Sequence, residues 1–140
     1  MKNMFYLLLL ISCTSLAQEW KTDFDEAISL AQSKNQNIIL VFSGSDWCAP
    51  CIKLDHDIFS TKVFQNYSKE HYVMLKADFP RRKKNALSKE QTAHNNLLAE
   101  KYNKKGYFPL VVVLDENGAV LKELGYKKTT PLGFIDLLNN

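Results

Sequence analysis

From Asp23 onward, apolar residues recur with two different periods along the chain. Phe24, Ala27, Ile28 and Ala31 fall on one helical face, and Asp23 with Glu26 forms a capping box ahead of them. The spacing predicts a helix over about 23–34, broken by Asn35-Gln36-Asn37. Ile38 to Phe42 is a continuous β-rich apolar run, as expected of a central strand covered on both faces. Ser43 to Asp46 reads as a loop, and Trp47-Cys48 opens a helix running to about Phe59. Ser60 is placed to cap a short helix through Tyr67. Tyr72 to Ala77 predicts a second strand, ended by Phe79-Pro80. Ser88 with Gln91 caps a longer helix whose predicted apolar face is Ala93, Leu97, Leu98 and Tyr102. Phe108-Pro109 leads into a third strand, Leu110 to Leu114. Asp115-Glu116-Asn117-Gly118 then turns the chain into a fourth, Ala119 to Leu124. Thr130-Pro131 starts a last helix, with Phe134, Leu137 and Leu138 predicted to face inward.

Strand–helix–strand units imply parallel pairing, and the closing hairpin adds an antiparallel pair. The expected architecture is α/β: a mixed central sheet of about four strands with helices on both faces. The 140 residues suffice for one domain with a sizeable core, expected over 18–140.

The first seventeen residues follow another pattern. Lys2 precedes an unbroken apolar run from Met4 to Ile11, and Ser15-Leu16-Ala17 presents small residues where a signal peptidase reads. The run is too short to cross a bilayer, which takes about 20 residues. The expectation is a signal peptide cleaved after Ala17, giving a periplasmic or secreted chain with no membrane span. A second exported reading is a lipoprotein anchored through Cys13, because Leu10-Ile11-Ser12-Cys13 resembles a lipobox. Removing residues 1–17 takes away Lys2 alone among the charges, so the net charge falls from +3 to +2. That mild charge does not point to nucleic acid.

The same cut changes the cysteine arithmetic. Of three cysteines, only Cys48 and Cys51 remain, in a single C-x-x-C. They can pair with each other, with a metal or with a partner protein. A metal site needs about four ligands, whereas His56, His71 and His94 are scattered and there is no second C-x-x-C; no metal site is expected. Cys48 sits where a buried strand gives way to a helix, whose first turn presents free N–H groups and partial positive charge. A thiolate there is stabilised and becomes nucleophilic at neutral pH. Cys51 follows one turn later, so the spacing permits a Cys48–Cys51 disulfide that opens and closes with little backbone movement. Cys48 is the expected attacking thiolate, exposed, and Cys51 the resolving thiol, deeper in the fold. Pro50 is tolerated because a first-turn N–H has no helical partner to lose.

Trp47-Cys48-Ala49-Pro50-Cys51 after the strand Ile38–Phe42 resembles the active-site corner of thioredoxin-like proteins. Tyr107-Phe108-Pro109 followed by Leu110–Leu114 resembles the segment that carries that family's cis-proline, and Asn117-Gly118 and Gly125 fit its terminal hairpin. The resemblance spans about residues 20–138. It implies the thioredoxin-like fold and thiol-disulfide oxidoreductase activity with no cofactor beyond the redox-active disulfide. It also implies a cis bond at Pro109, with Trp47, Phe108 and Pro109 contacting substrate and Phe108 offering main-chain hydrogen bonds to an extended segment. Ala49 and Pro50 would tune the redox poise, leaning towards a reductant. The implied partners are protein thiols and disulfides and an electron-donor protein, met by a monomer.

Two departures from the family pattern stand out. The buried aspartate that thioredoxins carry six residues before the first cysteine is Phe42 here, which leaves Asp46 and Lys76 as substitute proton acceptors or no dedicated base at all. The stretch from Asp78 to Pro109 is also long, and its Arg81-Arg82-Lys83-Lys84 run reads as a solvated loop that could dock an acidic partner or anionic lipid. The expected function is reduction or exchange of disulfides in exported proteins. The alternatives are a redox-inert binding or chaperone module and a metal carrier.

Overall fold

The computed structural model describes residues 18–140; the expected signal peptide and the alternative at Cys13 lie outside the described residues. Five strands form one sheet in the order β1-β3-β2-β4-β5: β1 is Trp20–Lys21, β2 Asn37–Ser43, β3 Tyr72–Asp78, β4 Leu110–Leu114 and β5 Val120–Gly125. The three strands β1, β3 and β2 are parallel, while β4 runs antiparallel to β2 and β5 to β4. The mixed sheet is the expected one with an added edge. A two-residue strand carries no periodicity, so β1 left no signal in the hydrophobic pattern.

Strand side chains alternate between two layers. Ile38, Leu40, Phe42, Leu75, Val112 and Leu114 face α1 (Phe24–Lys34) and α4 (Lys89–Tyr102). Ile39, Val41, Met74, Val111 and Val113 face α2 (Ala49–Leu54), α3 (Lys62–His71) and α5 (Pro131–Asn139). Burial on both faces accounts for the unbroken apolar run of β2. Among the described residues no helix is long and apolar enough to cross a membrane.

Four helix expectations are corrected. Cys48 is the N-cap of α2 rather than its first residue, and α2 continues through a π turn, Asp55–Phe59, before it stops. Thr61, not Ser60, caps α3: Ser60 still has helical dihedrals, whereas Thr61 is extended and its hydroxyl accepts Phe64 N–H at 3.3 Å. The helix then reaches His71 rather than Tyr67. In α4, Ala93 and Leu97 face solvent, with Leu97 65% exposed, while Asn95 is buried. Asn95 earns that place by hydrogen bonding: its amide donates to Asp78 O at 2.9 Å and its carbonyl accepts from Gln91 Nε2 at 2.9 Å. In α5, Ile135 is buried beside Phe134 and Leu138, and Leu137 is only half-buried.

Candidate active site

The corner between β2 and α2 is built around Gly44. Its carbonyl accepts the N–H groups of Trp47 at 3.2 Å and Cys48 at 2.9 Å, which folds the chain back into the helix start. Asp78, at the end of β3, braces the loop by accepting from Ser45 N at 3.0 Å and Ser45 Oγ at 2.5 Å. A Cβ on Gly44 would overlap the Trp47 indole, so the close approach requires glycine.

Cys48 and Cys51 are joined by a disulfide, with their Cα atoms 5.2 Å apart. Cys48 Sγ accepts Cys51 N–H at 3.3 Å, and Cys51 Sγ accepts Gly44 N–H at 3.5 Å. The Cys48 sulfur therefore accepts a free first-turn N–H at the helix start, where a thiolate is stabilised. The expected exposure of Cys48 is corrected. Cys48 is 5% and Cys51 3% exposed, because Cys48 folds inward as the N-cap while Ala49 and Pro50 face solvent. What distinguishes the two sulfurs is their donors rather than their access.

The Phe108–Pro109 peptide bond is cis. Phe108, Pro109, Pro50, Glu123, Gly125 and Tyr126 line an open hollow of about 410 Å³ beside the disulfide. Trp47 meets Phe108 edge-on at 5.5 Å between ring centres and donates from Nε1 to Phe79 O at 2.7 Å. Trp47 and Ala49-Pro50 flank the two cysteines in the chain, Trp47 meets Phe108, and Pro50 shares the hollow with Phe108 and Pro109. Asn103 was not anticipated. It is buried, accepts Tyr107 N–H at 2.9 Å and donates to Tyr107 O at 2.8 Å, holding the segment just before the cis bond.

Neither substitute for the family's aspartate has the properties of a base for Cys51. Asp46 accepts from Arg81 N, Arg82 N and Asn85 Nδ2, and these bonds, Arg81's first, pull its carboxyl down to about 2. Lys76 is engaged elsewhere, 3.8 Å from Asp55 Oδ1 and 4.5 Å from the Trp20 ring centre. Phe42 is fully buried and stacks with Phe79 at 6.5 Å, and Phe79 meets Phe108 at 5.4 Å. An aromatic column thus reaches the site from the core. Among the described residues, no group of three or more His, Cys, Asp and Glu side chains is placed to hold a metal. His56 pairs with Asp57, His71 stacks on Tyr67, and His94 Nε2 accepts Phe24 N–H.

Residues 19–116 match a family model described as thioredoxin-like. The chain belongs to the thioredoxin-like family. Within it, the chain is 33% identical over 109 residues to the disulfide bond reductase DsbH of Chlamydia pneumoniae, covering 78% of this chain and 63% of that protein. The chain therefore spans less than two thirds of that curated relative's length. A solved structure of a DsbH oxidoreductase superposes with a TM-score of 0.81 at 26% identity, over 98% of this chain and 92% of the other. A thioredoxin from Thermus thermophilus shares the fold, with a TM-score of 0.66 at 18% identity over 89% and 86% of the two chains.

Proposed function

We propose that this thioredoxin-like chain is an exported thiol-disulfide reductase in which Cys48 attacks and Cys51 resolves. The observation that carries the reading is the Cys48–Cys51 disulfide closed across the first turn of α2, with Cys51 N–H directed at Cys48 Sγ. The similarity to a protein named disulfide bond reductase supports the reducing direction. Export is supported by the sequence pattern of residues 1–17.

In the reduced protein, Cys48 thiolate attacks one sulfur of a substrate disulfide. A mixed disulfide forms, and the first substrate sulfur leaves as a thiolate that takes up a proton. Cys51 then loses its proton and attacks Cys48 Sγ, releasing the second substrate thiol and closing the Cys48–Cys51 bond. Two electrons pass from the protein to the substrate, and a separate dithiol donor must return them. Phe108 backbone and the neighbouring hollow are suited to hold an extended substrate segment during the exchange.

The test is a trap. The Cys51→Ser form, incubated with an extract of exported proteins, is expected to accumulate mixed disulfides that the further change Cys48→Ser abolishes. The intact reduced chain should reduce insulin disulfides. Trapping by the Cys51→Ser form that survives loss of Cys48, or no reduction of insulin, overturns the assignment. Stoichiometric zinc or copper on the purified chain would instead favour a carrier.

A further inference from the structure

The basic run after β3 is fastened to the redox corner by a single carboxylate. Asp46, two residues before Cys48, accepts the backbone N–H groups of Arg81 at 2.9 Å and Arg82 at 3.0 Å, and the Asn85 side-chain amide at 2.9 Å. These bonds shape the strap without neutralising its cations. Arg81, Arg82, Lys83 and Lys84 are all exposed. Among the described residues, the salt bridges involve Lys21, His56 and Lys76 and none of these four.

One end of the run touches the aromatic rim of the site. The Arg81 guanidinium lies 3.7 Å from the centre of the Trp47 ring. Trp47 itself is pinned by Phe79 O and meets Phe108. Through Trp47, Arg81 is therefore linked to Phe108, which lines the hollow with Pro109.

We infer that the Arg81–Lys84 strap is a docking rim for an acidic segment of the protein whose disulfide is exchanged; this rests on the proposed reductase reading. Unpaired cations at a binding rim attract carboxylates over several ångströms and raise the encounter rate. The planar forks of Arg81 and Arg82 suit carboxylates in particular. The occupant is a polypeptide because Arg81 stacks on Trp47, which meets Phe108 of the hollow suited to an extended chain.

Binding is measured first, without chemistry. The oxidised full chain is titrated with two labelled peptides that carry serine in place of cysteine and differ only in Asp and Glu against Asn and Gln. The acidic peptide is expected to bind about 10-fold more tightly at low salt, and the ratio should shrink to within about two-fold near 0.5 M salt. Arg82→Glu with Lys83→Glu should abolish the preference. The same charge change on α3, Lys62→Glu with Lys69→Glu, should leave it intact. Reduction rates with disulfide-linked versions of the peptides should follow the same order. Equal binding of the two peptides, or a preference that survives the strap variant, overturns the docking rim. So does binding to anionic lipid vesicles or to nucleic acid with no binding of the acidic peptide. If the acidic peptide docks through the strap but no disulfide is reduced, the reductase reading fails alone. If both peptides are reduced at one rate, docking fails alone.

Discussion

Gly44 touches every other part of the corner. Its N–H goes to Cys51 Sγ, its carbonyl collects two N–H groups, and its missing side chain leaves room for Trp47. Alanine there must push the indole away from Phe79 O and off the Arg81 and Phe108 contacts. The expected cost of Gly44→Ala is about 1–3 kcal/mol, typical of overpacking a closed site. The check is urea unfolding together with the emission spectrum of Trp47 in a Trp20→Phe background. Unchanged emission, or a stability change below about 0.5 kcal/mol, the range of an ordinary surface substitution, would show that the close approach carries no weight. In the sequence, Ser43-Gly44-Ser45-Asp46 read only as a loop. The contact that makes glycine necessary lies three residues on and depends on how the indole is turned, which spacing does not encode. Cys48 and Cys51 were legible for the opposite reason, since their spacing, the strand before them and the loss of Cys13 from the count are all linear facts.

Elements were legible wherever a full period fits inside them. Strands β2 and β4 and helices α1 and α5 emerge close to their predicted bounds because apolar repetition runs through each. Helix α4 was placed correctly but rotated: Leu97 faces water, and the buried stripe includes Asn95, which a hydrophobic pattern scores as surface. In the sequence the strap reads as a solvated loop that could dock an acidic partner or anionic lipid, and its shape is hidden because the carboxylate that sets it, Asp46, is thirty-five residues away along the chain. That anchor gives the strap a defined acid response. Hydrogen bonds to the ionised form hold the Asp46 carboxyl at about 2, below its ordinary 3.8. Its contribution is therefore full above about 3.8 and is lost as pH falls through about 2. Amide exchange protection at Arg81 and Arg82 is expected to persist through the ordinary carboxylate range and fade only near the lower value. The Asp46→Asn chain should show weakened protection at Arg81 and Arg82 well above that range. A midpoint at the ordinary aspartate value would mean that the three hydrogen bonds do not favour the charged form.

At the scale of the molecule, the two layers of the core have different duties. The α1/α4 layer reaches the site through Phe42, Phe79 and Phe108. On the opposite side, Phe59, Phe64 and Phe134 form a mutually packed aromatic trio, with ring centres 5.2–5.9 Å apart, that joins α3, α5 and the π turn. Phe64 is fully buried there. Truncation to alanine removes a large side chain from a close-packed site, and Phe64→Ala is expected to cost about 3–5 kcal/mol of folding stability. None of the site's hydrogen bonds or ring contacts passes through Phe64. The rate of disulfide exchange per folded molecule should therefore stay within about two-fold of the parent, since distant sites with no shared partners act independently. Measuring the urea midpoint and the exchange rate on the same preparation separates the two effects. A large fall in rate at full folding would mean that the trio helps to set the first turn of α2, in which case the π turn at Asp55–Phe59, which continues α2 and carries Phe59, is the element that transmits it.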